Sequence, residues 1–142
     1  MPQESTPRAR VAAAVARDGE PAVVDGCVAL LRGSATDASL VATIGGDSVD
    51  HVMAGGEGGP DGYWPRTWAL RALLYAWDPV AEDVVVEACH DDHWRVREMA
   101  VKVIVRCELA SAEAAAAVRS LLHDDNHRVA AAAARAAEMV GR

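Results

Sequence analysis

The sequence predicts an all-α fold, an α-solenoid of stacked antiparallel helix pairs. Three observations predict it. Segment after segment carries apolar residues at helical spacing, and none alternates as a strand would. The segments are joined by turns of two or three residues. And one stretch recurs. His90-Asp91-Asp92-His93-Trp94-Arg95-Val96-Arg97 returns thirty-three residues on as His123-Asp124-Asp125-Asn126-His127-Arg128-Val129-Ala130. Thirty-one residues earlier a weaker copy runs Asp61-Gly62-Tyr63-Trp64-Pro65-Arg66. The columns are Asp61/Asp92/Asp125, Tyr63/Trp94/His127, Trp64/Arg95/Arg128, Arg66/Arg97/Ala130, Ala69/Ala100/Ala133 and Arg71/Lys102/Arg135. Self-similarity at a period in the low thirties marks a repeat array, whose units bury their apolar faces only by stacking.

Taken in order, Thr6-Pro7 reads as a cap followed by a first-turn proline, opening a helix to about Arg17 that ends near Gly19. Pro21 opens a second helix with Val23, Val24, Cys27, Leu30 and Leu31 apolar, stopped by Gly33. Asp37 begins a short third helix, broken by Gly45-Gly46, and Asp47 or Ser48 starts another through His51, Val52 and Met53. Residues 55–62 are a glycine-rich loop; no strand precedes it and no Gly-Lys-Ser/Thr follows, so it reads as a linker and not a phosphate cradle. The array then runs through a helix Pro65–Trp77, a helix opened by Asp78-Pro79, and a helix of about 93–107 for which Asp92 is the expected cap. Ser111 caps the next, Ala112–His123, and the last runs from about His127 to Val140. Residues 1–56 form an N-terminal helical segment, either degenerate repeats or a cap, and residues 57–142 the array. By length the whole is one domain.

Net charge is −7, with four Arg against eight acids in residues 1–60 and ten basic against thirteen acidic residues after them. Neither part has the basic balance of a domain that grips phosphates, so nucleic acid is an unfavoured partner. With no Phe and four Trp, the core must be Ala, Val and Leu. The three cysteines, Cys27, Cys89 and Cys107, are odd in number and sit on apolar faces, which suits a reducing cytoplasm better than a disulfide scaffold. The first residues lack the apolar stretch of a signal peptide, and no run approaches the roughly 18–20 residues of a membrane span.

The pattern Leu-x-Asp-x-x-x-x-Val-Arg-x-x-Ala-x-x-Ala/Val-Leu, best kept around Asp92, Val96-Arg97 and Ala100, resembles the HEAT repeat, in particular the short bacterial form found in phycobilisome lyases. The run Tyr63-Trp64-Pro65-Arg66-x-Trp68 also resembles small HEAT-repeat proteins of actinobacteria. The resemblance covers about residues 60–142. It implies a structural ladder in which Asp61, Asp92 and Asp125 pair along the stack with Arg66 and Arg97, ending where Ala130 replaces the motif arginine. It also implies second helices lining a concave face.

Candidate chemistry is sparse. Cys89/His93 and His123/His127 have zinc-compatible residue types at i, i+4, but each pair straddles a helix end; the neighbouring Asp residues are expected to cap, His90 and His123 to meet the negative ends of their helix dipoles, and no metal or cofactor is expected. No nucleophile elbow, ordered catalytic triad or nucleotide motif is present, so an enzyme is not expected. Arg71, Lys102 and Arg135 share one column on successive second helices, with Arg95 and Arg128 near the starts of those helices. Trp94 and Trp64, beside the turns, either cover a neighbouring repeat or anchor a partner. These seven are the expected partner-binding residues. The expected function is a non-catalytic cytoplasmic scaffold or adaptor that binds an unidentified protein, with homodimerisation through a stack end a further possibility. The alternative is nucleic-acid binding in the manner of HEAT-like DNA glycosylases. A lyase or chaperone for a cofactor-bearing protein rests on the resemblance alone.

Overall fold

The computed structural model describes residues 6–33, 38–46, 49, 54 and 62–140. The expected helix through His51–Met53, the glycine-rich stretch from residue 55, and Asp61 lie outside them. The described residues hold eight α-helices and no strand. They are α1 (Pro7–Asp18), α2 (Glu20–Leu31), α3 (Ala38–Gly45), α4 (Tyr63–Leu73), α5 (Glu82–Ala88), α6 (Trp94–Arg106), α7 (Ala112–Ser120) and α8 (His127–Val140), with a 3-10 turn, Pro79–Ala81, leading into α5. None is long and apolar enough to cross a membrane. The all-α, solenoid-class fold expected from the repeats is the fold found.

Local signals set most of the ends. The Thr6 hydroxyl accepts from the Ala9 N–H at 3.1 Å, and Ser111 accepts from Ala114 at 3.1 Å, each filling one of the donors left open by a helix start. Gly19, at φ +88°, closes α1 by donating to the Val15 carbonyl. Two ends differ from the expectation. Helix α4 begins at Tyr63 and stops at Leu73, four residues short of Trp77. Its apolar pattern continues past the point where Leu74 and Tyr75 switch to bonds onto carbonyls three residues back, so periodicity could not see the end. Asp92 is not the cap of α6. The helix starts a residue later than that role needs, and His93 is the cap, its Nδ1 accepting from the Arg95 N–H at 3.2 Å.

The chain forms two compact units, Met1–Asp78 and Pro79–Arg142. In the first of them α4 closes its apolar face on α2 and α3. In the first unit Ala14, Val24, Cys27, Leu70 and Leu73 are fully buried. The single large ring of this core, Trp68, is 2 % exposed. Gly45, at the end of α3, lets that helix approach the ring: a Cβ there would stand 3.0 Å from the indole and collide with Val49. Gly46 follows at φ +70°, against the Arg10 guanidinium.

The second unit is two stacked helix pairs, α5/α6 and α7/α8, in which second helix packs on second helix and first on first. Val96, Ala100, Val103 and Ile104 of α6 and Val129, Ala133 and Ala136 of α8 belong to a core of small side chains, all at 0 % exposure. Full burial of a Val or Ile side chain contributes roughly 1.5–3 kcal/mol, so these few residues carry much of the unit's stability.

Gly45→Ala should destabilise the fold by about 1–3 kcal/mol, the cost of overpacking a filled core. Thermal unfolding followed by circular dichroism measures it, and an unchanged melting temperature would contradict the close approach of α3 to Trp68.

Candidate functional site

The turns come before the surface they position. Asp91 Oδ1 accepts from the His93 N–H at 2.9 Å, and thirty-three residues on Asp124 Oδ1 accepts from Asn126 at 2.9 Å. Asn126 then caps α8 by accepting from Arg128 at 2.9 Å, as His93 caps α6. Each turn is thus an Asp that organises the backbone two residues ahead, followed by a capping residue. Arg97 joins the two turns. Its Nη1 donates to the carbonyls of Asp91 and Asp92 at 2.9 and 3.1 Å. Its Nε and Nη2 form a two-pronged pair with Asp124 at 2.9 and 3.0 Å. In α4 the corresponding Arg66 donates to the Gly62 carbonyl at 3.0 Å.

The carboxylate that Arg97 meets is therefore Asp124, one position before the Asp125 column. Asp92 contributes its carbonyl. The Asp124 side chain is 9 % exposed. That burial pushes its carboxyl upward, but the Arg97 hydrogen bonds, the Asn126 amide and the Arg97 charge together outweigh it and hold the group below the usual carboxylate range. The sequence columns put Asp125 and not Asp124 in the ladder; the doubled Asp in each turn was the available signal.

At the start of α6, Trp94 is half-buried between two guanidinium groups, Arg95 at 4.5 Å and Arg128 at 5.2 Å from the ring centroid. Arg128 comes from α8, so the indole covers the seam between second helices. Arg128 Nε also reaches Glu98 at 3.2 Å, and Lys102 stands 3.8 Å from the same carboxylate. Glu98, 9 % exposed and the organiser of these two cations, was not singled out from sequence. Arg71 lies in the first unit, half-buried, with Nη2 donating to the Ile44 carbonyl at 2.8 Å; burial and the nearby Arg10 charge both lower its basicity. Trp64 is also in the first unit, 6.3 Å from Trp68 and 4.9 Å from Tyr63, ring to ring.

Along the α6/α8 seam the surface opens. A depression of about 440 Å³ has the buried Val101 and Ala132 at its floor, Val105 and the exposed Met139 beside them, and Lys102, Arg106 and Arg135 as rim. A second, of about 280 Å³, shares Lys102 and Arg135 and extends to Glu98, His127 and Arg128. A third, of about 170 Å³, shares Val105 and Met139 and extends to Ile104, Glu108 and Leu109. Shared walls make the three one trough. The cysteines take no part in it: burial pushes the thiols of Cys27 and Cys89 up to about 12 and that of Cys107 to about 11, so they pack as thiols. Among the described residues no three His, Cys, Asp or Glu side chains gather where they could hold a metal ion.

Arg97→Ala should cost about 3 kcal/mol, the low end for removing one partner of a buried pair, whereas Arg95→Ala should cost about 1 kcal/mol or less, the value of a part-exposed cation over an indole. Equal melting temperatures for the two would contradict the clamp. Because the Asp124 carboxyl is held below its ordinary value of 3.8, its pairing stabilises the fold in full above that pH and is lost as pH falls through the lower folded value. Asp124→Asn should therefore melt below the wild type at neutral pH, and the gap should close in strong acid. A gap constant across an acid titration would show that the charge is not the source.

The family profile of the HEAT repeats matches residues 61–141, more than half of the chain. No curated protein and no solved structure matches it. The chain belongs to the HEAT-repeat family.

Proposed function

We propose that the chain is a non-catalytic adaptor that binds another protein along the α6/α8 trough. HEAT repeats generally mediate protein–protein interaction, and the trough is the observation that carries the reading. It has an apolar floor, a charged rim and a protruding side chain, Met139, 56 % exposed. Such a combination suits a protein partner, which supplies apolar contact and ion pairs together. At its edge Glu98 gathers Arg128 and Lys102. The proposed contact residues are Lys102, Arg135, Arg128 and Trp94, with Arg95 beside them. Arg71 is left out because its guanidinium is committed to the Ile44 carbonyl.

The reading is tested by affinity capture from a lysate of the source cells, wild type beside a Lys102→Ala/Arg135→Ala double variant. Both positions are exposed, so the variant should keep its fold and melt within about 1 kcal/mol of wild type. A protein retained by wild type and lost by the variant is the expected outcome. A protein retained equally by both would move the interface elsewhere, and recovery of nucleic acid alone would replace the reading with phosphate binding.

A further inference from the structure

We infer that the occupant of the trough is an acidic amphipathic helix of about three turns. The inference rests on the adaptor reading and adds the chemistry of the partner. Length comes from the lining. The trough runs from Glu98 to Arg106 along α6, continuing to Glu108 beyond its end, and from His127 to Met139 along α8. At 1.5 Å per residue the helical spans are about 12 and 18 Å, which about three helical turns of 5.4 Å cover.

Shape supports a helix. Val101 and Ala132 are buried beneath the groove, while Val105 is part-exposed and Met139 protrudes. Two ridges flanking a floor of small residues leave the kind of furrow into which an apolar helix stripe settles, spaced at every third and fourth residue. A methionine at the edge adapts to whichever side chain enters.

Charge selects the sign of the partner. The central depression has three cations and no carboxylate on its rim. Of the two acids farther along, Glu98 is already shared by Arg128 and Lys102, and Glu108 stands at the far end. Arg135 makes no hydrogen bond or ion pair among the described residues. It is exposed on α8, and it borders both larger depressions. Acidic residues flanking an apolar stripe would therefore meet Lys102 and Arg106, one turn apart on α6, on one side and Arg135 of α8 on the other. The chain as a whole is net −7, so this cationic furrow is a local exception that steers an acidic segment to one place.

The test uses the full chain and two fluorescein-labelled synthetic peptides, about 14 residues long so as to cover three turns. Both carry Leu at every third and fourth position; one has Glu and the other Lys at the remaining positions. Fluorescence anisotropy should show the Glu peptide binding at least about tenfold more tightly than the Lys peptide, with an affinity that falls as salt rises. The double variant Lys102→Glu/Arg135→Glu, checked for an unchanged circular dichroism spectrum, should reverse the preference. Met139→Ser should weaken the Glu peptide without changing its salt dependence.

Equal binding of the two peptides, or binding of the Glu peptide unaffected by the charge-reversed variant, would overturn the inference. So would tighter binding of a single-stranded oligonucleotide at the same site, or a concentration-dependent dimer that excludes both peptides. If the Glu peptide fails while a captured protein still depends on Lys102 and Arg135, the acidic helix is wrong and the adaptor reading stands.

Discussion

The Arg97 guanidinium is the interaction on which the second unit depends. It holds the backbone of its own turn through two carbonyls and the side chain of the next turn through a carboxylate, so one planar group fixes the distance between consecutive repeats. A lysine could not replace it, because a point charge has neither the fork that matches a carboxylate nor the remaining donor for the carbonyls. Setting that distance sets the register of α6 against α8. The register in turn decides which side chains face each other across the seam: Trp94 with Arg128, Glu98 with Arg128, and Lys102 beside Arg135. The surface chemistry is thus a downstream consequence of a turn-to-turn bond.

The rest follows from small side chains. Ala100 on α6 and Ala133 and Ala136 on α8 are at 0 % exposure, and helices meeting through alanine and valine come close together. Close packing below leaves little bulk above, and that is why the seam is open along its outer edge. The few large rings are spent at boundaries: Trp68 under the end of α3, Trp94 at the start of α6. Glycine makes the first of these contacts possible, and two arginines flank the second.

Much of the fold was legible because helix and repeat leave periodic marks. Thr6-Pro7, Ser111 and Gly19 announced their ends through chemistry confined to a few neighbouring residues. What the sequence hid were relations between turns. The column Asp92/Asp125 was visible, yet the side chain that Arg97 meets is Asp124, whose carboxylate also accepts from the Asn126 N–H. Asp92 was the expected cap of α6, yet the ring nitrogen of His93 takes that role. Arg71 shares a column with Lys102 and Arg135, yet burial near Ile44 gives it different work. Columns identify equivalent positions, and the surroundings of each position decide what it does.

The clamp also gives the array a direction. Arg97 looks forward, toward the C-terminal neighbour, and the repeat that receives it carries Ala130 where its own arginine would be. A bond of this kind is like a zip with teeth on one side only. New units could be inserted between the donor turn and the acceptor turn, provided each brings both an arginine and an aspartate, and every seam would close as the existing one does. A unit appended beyond α8 would find an acceptor's geometry but no guanidinium reaching out to it. Lengthening by internal duplication is chemically easy in this chain, and lengthening at that end would first require arginine at position 130.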